Sequence, residues 1–359
     1  MSKLNNFLLL IICYLLSFIF GKANRTTFNP KKIVVFRSKP HVGDMVYVTP
    51  LFRAIKKTYP ESRVILIGGG RVGEVIAHNP DIDEYIEYKN NFWQVIKRFR
   101  NEKIDFGCMA NLGTTEGLAL LYLGGVKSIS VFESADTAKS FSYTQLKKLA
   151  ITHPFSSGTY VPPLYMNLLN PIVANTGDTH FRLYYSNEAK QKISALFSDH
   201  GVGINDFIVG LAVGGSTEDR WWPAERFARV GKYLHEKYNA KLFLVGAGKD
   251  EKAISETLKY LGDIPAVNLL NQSLDEFKAF IAHSKLMIGN DSGPMVTADA
   301  FDVPNLVLVG PTDWREYHRP PGPFNRISAS PDKKIESLSE TLVLQELNII
   351  LTSLGINVK

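Results

Sequence analysis

Three stretches of this chain combine side chains that can bind an anion or move a proton. In "GNDSGPM", Gly289 to Met295, an acid, a hydroxyl, glycines and a proline crowd a turn after the apolar run Leu286 to Ile288. A helix beginning at Pro294 has free amide N–H groups and a positive dipole end at its N-terminus, and Ser292 and Gly293 allow close backbone approach. Pro294 suits a first turn because no donor is lost there. In "GGSTEDRWWPAERF", Gly214 to Phe227, the glycines with Ser216 and Thr217 offer amides and hydroxyls. Arg220 adds a planar cationic fork suited to phosphate, and Trp221 and Trp222 read as core or cleft wall. Two anion-compatible turns in one half of the chain point to a diphosphate pocket. In "HVGD", Gly43 permits a tight turn and Asp44 is a candidate acid–base group. Its competing reading is an N-cap aspartate that satisfies helix amides.

Such residues need a scaffold that brings strand ends together. From Lys31 the chain alternates strand and helix patterns: "KIVVF", "RVILI", "DEYIEY", "IDFGCMA" and "SISVF" read as strands, with helix-length segments between them. Thr49 and Pro50 mark a helix start after the first strand. The rhythm fails from Glu133 to Gly177 and restarts with "FIVGLAV", "KLFLVG", "AVNLL", "LMIG" and "NLVLVG". Strands separated by helices mean βαβ units and parallel sheets. The expected architecture is α/β, two Rossmann-like domains facing a central cleft, with ligands beyond the carboxyl ends of the strands. The expected boundaries are 31–175 for the first domain, 176–334 for the second, and 335–359 for a C-terminal helix packing back on the domains.

Composition narrows the partners. At 359 residues the chain suffices for two cores. The net charge of +6 is a modest bias toward anions, and no basic block with interleaved aromatics suggests nucleic acid. Two cysteines, Cys13 and Cys108, make no disulfide framework, and no Cys/His spacing fits zinc, so neither a metal nor a cofactor is expected.

Residues 1–22 differ from the rest. "FLLLIICYLLSFIF", Phe7 to Phe20, is nearly all apolar, and as a helix with Leu4 it reaches about 25 Å, short of a ~30 Å hydrocarbon core. No small-residue cleavage pattern follows, and Lys22, Arg25, Lys31 and Lys32 flank its C-terminal side. We read it as a short hydrophobic membrane-anchor segment, inserted or lying in the interface, in preference to a cleaved signal, with the large domains cytoplasmic.

Two motifs are decoys. "GGGRVG", Gly68 to Gly73, matches a dinucleotide fingerprint, but it follows the second strand, and the acids Glu84 and Glu87 come early. "DID", Asp81 to Asp83, imitates a metal motif but lies in a helix-to-strand turn where acids are ordinarily solvated.

Taken together, "VGDMVYVTPLFRAIKKTYPESRVILIGG", "GGSTEDRWWPAERFARV" and "IGNDSGPMVTADAFDVPNLVLVGPTD" resemble the bacterial heptosyltransferases of glycosyltransferase family nine. These have a GT-B fold and build lipopolysaccharide core from ADP-heptose on the inner leaflet. The likeness runs from about Lys31 to Asp313, with roughly 134–180 unmatched. It implies Asp44 as the general base for the acceptor hydroxyl, with His41 as an alternative base or acceptor-positioning group. It implies Ser216, Thr217, Arg220, Ser292, Gly293 and Met295 around the donor diphosphate, and Asp291 near the donor sugar. Asp250 or Glu251 would reach the ribose, and spacing does not choose between them. Arg220 replaces a customary lysine, Val296 a customary histidine, and "KPHV" precedes "GD" in place of the usual residues.

The implied function is inverting, metal-independent transfer of heptose or a related sugar from ADP-heptose to a lipid-linked lipopolysaccharide core acceptor. The enzyme would work at the cytoplasmic face of the bacterial inner membrane. Two alternatives stand beside it: an NAD-dependent oxidoreductase built on "GGGRVG", and a non-catalytic sugar-nucleotide-binding protein at the membrane.

Overall fold

The computed structural model describes residues 3–38, 42–203 and 205–358. The chain divides into two units, Met1–Phe181 and Arg182–Lys359. Each is a six-stranded, all-parallel sheet covered by helices, as expected of β-branched apolar runs that bury both faces.

In the first unit the strands are β1 (Lys32–Arg37), β2 (Arg63–Gly68), β3 (Glu84–Glu87), β4 (Phe106–Met109), β5 (Ser128–Glu133) and β6 (Ile151–Pro154). Their order is β3-β2-β1-β4-β5-β6, so the winding reverses between β1 and β4. Val34, Phe36, Ile65, Ile67 and Val131 form one core with Phe99, Leu118 and Leu121 of the covering helices. The second unit holds β7 (Ile208–Ala212), β8 (Lys241–Gly246), β9 (Ala266–Leu270), β10 (Leu286–Asn290), β11 (Asn305–Val309) and β12 (Asn325–Ala329). Its order, β12-β11-β10-β7-β8-β9, repeats the first and reverses between β7 and β10. In such sheets the crevice for a ligand opens beyond the strand ends at this reversal.

Two strands were absent from the sequence reading. β6, "ITHP", and β12, "NRISA", are short, partly polar and without alternation, and each lies at a sheet edge. Their strand character comes from the neighbour that pairs with them, β5 and β11 respectively. The last helix, Glu340–Ser353, buries Val343, Leu347, Ile350 and Leu351 in the second unit's core.

The N-terminal helix, Lys3–Phe20, packs on the helices Thr115–Leu123 and Phe141–Leu146. Leu9, Leu10 and Cys13 join the first unit's core, a placement that a helix threaded through lipid would not have. Among the described residues no helix is long and apolar enough to cross a membrane. Behind the helix, Ala23 and Asn24 are tied to the domain: the Ala23 N–H donates to Leu149 O, and Asn24 bridges Ser128 on β5.

The decoy motifs have packing explanations. A Cβ at Gly68 would run into Val72 and the Arg37 carbonyl, and one at Gly73 into the Tyr85 ring. The helix after this turn is only Val72–Ile76. Asp83 accepts from the Val64 N–H at 2.7 Å and pairs with Lys56, fastening the turn to β2.

Candidate active site

In the first unit Asp44 lies in the short helix Val42–Val46, just beyond the end of β1. His41 lies outside the described residues. Asp44 is partly exposed, and its Oδ2 is 3.4 Å from the guanidinium of Arg37, the last residue of β1. Arg37 is itself buried, at 4% exposure. Its Nη1 donates to the Ala110 carbonyl and to the Tyr165 hydroxyl, and its guanidinium lies 5.9 Å from the centre of the Tyr165 ring. Burial raises the Tyr165 phenol above its ordinary value, so it meets Arg37 as a neutral hydroxyl. Ala110 follows β4, the strand on the other side of the winding reversal. Its neighbour Asn111 is 2% exposed, and its side-chain amide has no hydrogen-bond partner among the described residues. The loops after β1 and β4 are thus coupled through one cation that also faces the candidate base.

The second unit fastens three strand-end turns together. Asn290, fully buried at the end of β10, accepts from the Trp222 N–H at 3.0 Å and donates to the carbonyls of Val213 and Gly214 at 2.7 and 3.1 Å. That ties the turn after β10 to the turn after β7. Asp250, after β8, accepts from the Gly215 N–H at 3.1 Å and the Ala247 N–H at 2.9 Å. A Cβ at Gly214 would overlap the Asp250 carboxylate, so only glycine allows this approach. Buried polar atoms that are each paired make a rigid rather than a costly arrangement.

On this frame Ser216 and Thr217 are exposed, and Arg220 is partly exposed in the turn Glu218–Arg220. Helix Gly293–Ala300 starts after Ser292, whose hydroxyl donates to the Asn290 carbonyl and makes no cap bond to the helix. The first-turn amides therefore lack a side-chain cap, the condition under which a helix start accepts an anion. Met295 contributes differently: its side chain is in the core, and its N–H donates to the Ser292 carbonyl.

Asp291 is 9% exposed and held from three sides. His318 Nε2 is 2.8 Å from Oδ1, the Thr312 hydroxyl donates to Oδ2, and the Arg220 guanidinium stands 3.9 Å from Oδ2. A carboxylate can only accept, so Nε2 of His318 carries the proton. Burial acts to raise the Asp291 pKa, but His318, Thr312 and Arg220 together outweigh it and hold the carboxyl below its ordinary value. Asp291 is thus an ionised, oriented group beside the Arg220 fork. Of the two ribose candidates, Asp250 has both carboxylate oxygens committed to turn amides, whereas Glu251 is exposed at the start of a helix. Among the described residues no three His, Cys, Asp or Glu side chains converge as metal ligands.

Within the second unit Arg220, Asp291, Ser292 and Gly293 are therefore brought together, and within the first unit Asp44 is brought to Arg37. Sequence reasoning missed Arg37, Asn111, Asn290, Thr312 and His318. Arg37 and Asn111 each directly follow or end an apolar run, a signal available in the sequence. His318, in "YHRPPGP", carries no pattern that links it to Asp291, 27 residues earlier.

Comparison with known proteins bears on this arrangement. Residues 174–345 match the model of glycosyltransferase family 9 (heptosyltransferase). Over 290 residues the chain is 24% identical to lipopolysaccharide heptosyltransferase 3 of Escherichia coli, covering 77% of this chain and 83% of that one. A glycosyl transferase family 9 structure from Veillonella parvula superposes with a TM-score of 0.78 at 20% identity, covering 90% of this chain and 97% of the other. The E. coli ADP-heptose lps heptosyltransferase II superposes with a TM-score of 0.71 at 19% identity, covering 90% and 99%. At these identities the structural likenesses establish the GT-B fold.

Proposed function

We propose that the chain is a glycosyltransferase of family 9, the heptosyltransferase family, and that it transfers heptose or a related sugar from ADP-heptose to a lipopolysaccharide core acceptor. The transfer inverts the anomeric carbon and needs no metal. The observation that carries this reading is the fastened set of turns after β7, β8 and β10, which puts the Arg220 guanidinium and an uncapped helix start beside ionised Asp291.

In the reaction, Asp44 accepts the proton of the acceptor hydroxyl as its oxygen attacks the anomeric carbon, a contribution of roughly 10² to 10⁴-fold. The bond from that carbon to the phosphate oxygen breaks, and ADP leaves with the electron pair. Arg220, the amides following Ser292 and the hydroxyls of Ser216 and Thr217 stabilise the charge that develops on the diphosphate. A carboxylate oriented by His318 and Thr312 is suited to accept hydrogen bonds from sugar hydroxyls, the role assigned to Asp291. Glu251 is the ribose ligand. Arg37 holds the Asp44 carboxylate in place. The acceptor is lipid-linked, and the enzyme works at the cytoplasmic face of the inner membrane, a reading supported by the apolar outer stripe of helix Lys3–Phe20.

Gly68 and Gly73 each have a packing reason for lacking a Cβ, so "GGGRVG" needs no bound dinucleotide to account for its glycines. Calorimetric titration of the full chain with ADP, UDP, GDP and NAD, without added metal, tests the proposal. ADP should bind best, and Arg220→Ala should weaken it by about 10 to 10²-fold, as for a charge-assisted contact worth ~1.5–3 kcal/mol. Preference for UDP or GDP would discard the heptose donor, and preference for NAD would overturn the transferase chemistry.

A further inference from the structure

The helix Lys3–Phe20 buries one side and leaves the other bare. Leu4, Leu8, Ile11, Leu15, Phe18 and Ile19 fall on one face, and all are exposed, Leu15 at 62% and Phe18 at 87%. A continuous apolar stripe of this kind marks a contact surface, because solitary soluble domains seldom leave one uncovered. At its C-terminal end the stripe meets a cavity of about 650 Å³. Phe20 lines it with five cations, Lys22, Arg25, Arg100, Lys103 and Lys127. Among the described residues no acid lines this cavity. Lys127 is paired outside it with Asp105 at 2.7 Å, a carboxylate that also accepts from the amides of Lys31 and Lys32. Arg100 uses its Nε on the Leu123 carbonyl, and its guanidinium lies 5.9 Å from the centre of the Phe20 ring. Among the described residues Lys22, Arg25 and Lys103 form no ion pair, and all three are exposed.

An apolar stripe that ends in a cationic cavity has the two chemistries of a lipid in the order in which a bilayer presents them. We propose that the cavity receives the phosphate of an acidic phospholipid headgroup while the stripe lies among the upper acyl chains, so that the helix rests in the membrane interface and does not cross it. The apolar face supplies area-dependent attraction and the cations supply selectivity for anionic lipid. A second protein copy would match the stripe but not the unpaired cations beside it. The inference rests on the membrane-surface part of the proposed function and is independent of the sugar chemistry.

The test is flotation of the full chain with phosphatidylcholine vesicles, with and without phosphatidylglycerol. Acidic vesicles should carry the protein far better than neutral ones, and salt should weaken the difference. Replacing Lys22→Gln, Arg25→Gln and Lys103→Gln together should weaken binding to acidic vesicles about 100-fold, at roughly five-fold per cation. These are exposed side chains, so the melting temperature should not move. Phe18→Ser should weaken binding to both vesicle types. Equal flotation of the triple variant and the parent overturns the headgroup site. So does flotation that ignores lipid charge. Self-association without flotation, abolished by Phe18→Ser, would assign the stripe to a second copy and overturn the proposal. Binding of free glycerol phosphate by a chain that does not float would assign the cavity to a soluble anion, with the same consequence. ADP titration of the same sample separates the two readings: a chain that binds ADP but no vesicle sinks only the lipid site.

Discussion

The buried guanidinium of Arg37 stands 3.4 Å from the carboxylate of Asp44, while the same side chain holds the Ala110 carbonyl and the Tyr165 hydroxyl. One rigid fork therefore sets the position of the proposed base relative to the ends of two strands. Lysine keeps the charge but cannot address three acceptors from fixed directions. Arg37→Lys should leave ADP affinity unchanged and lower kcat by on the order of 10²-fold, the scale of an ångström-level misplacement. Asp44→Asn should remove turnover more completely and likewise spare ADP binding. Steady-state kinetics with parallel calorimetry distinguish the two. An Arg37→Lys enzyme with parental kcat would show that Asp44 needs no such partner.

Asp291 gives the fold an acid dependence whose sign is set by its partners. Its folded-state pKa is depressed below 3.8 by His318, Thr312 and Arg220 acting against burial. The unfolded chain then binds the proton more tightly, so this contribution is complete above 3.8 and is lost as pH falls through the folded value. Denaturant melts recorded from neutral pH down through the carboxylate range should show stability falling in that window. The slope should be shallower in Asp291→Asn. An unchanged slope in that variant would place the acid sensitivity on other depressed carboxylates, such as Asp275 and Asp105.

The N-terminal helix is also part of the first unit's core. Removing residues 1–22 would strip Leu9, Leu10 and Cys13 from their contacts and delete the carbonyl that accepts from the Tyr122 hydroxyl, Gly21 O. A single buried leucine truncation costs roughly 2–5 kcal/mol, and each kcal/mol is worth ~2–4 °C in a unit of this size. The shortened chain should therefore melt at least about 10 °C lower or fail to fold, as read by calorimetry or circular dichroism. An unchanged Tm would show the helix to be an appendage.

The sequence by itself determined the fold class and most of the elements. Apolar runs such as "KIVVF" and "NLVLVG" have no alternative to burial, and helix-length segments between them allow only parallel pairing. It also located the turns that matter, because "GGSTEDR" and "GNDSG" concentrate amides, hydroxyls and charge immediately after such runs. Tertiary structure alone decided what those turns touch. Asp250 and Glu251 were equal ribose candidates in the sequence, and only the fold puts the Asp250 carboxylate on the amide of Gly215, 35 residues away in the chain, as well as on that of nearby Ala247. His318 had no reason to matter until the loop after β11 returned it to Asp291. The edge strands β6 and β12 are strands only because β5 and β11 offer them partners. The outer stripe of the first helix was distinguishable from its buried side only once the domain covered one of them. Local propensity and hydrophobic period are written residue by residue. A hydrogen bond, an ion pair or a buried face exists only when the chain brings distant residues into contact.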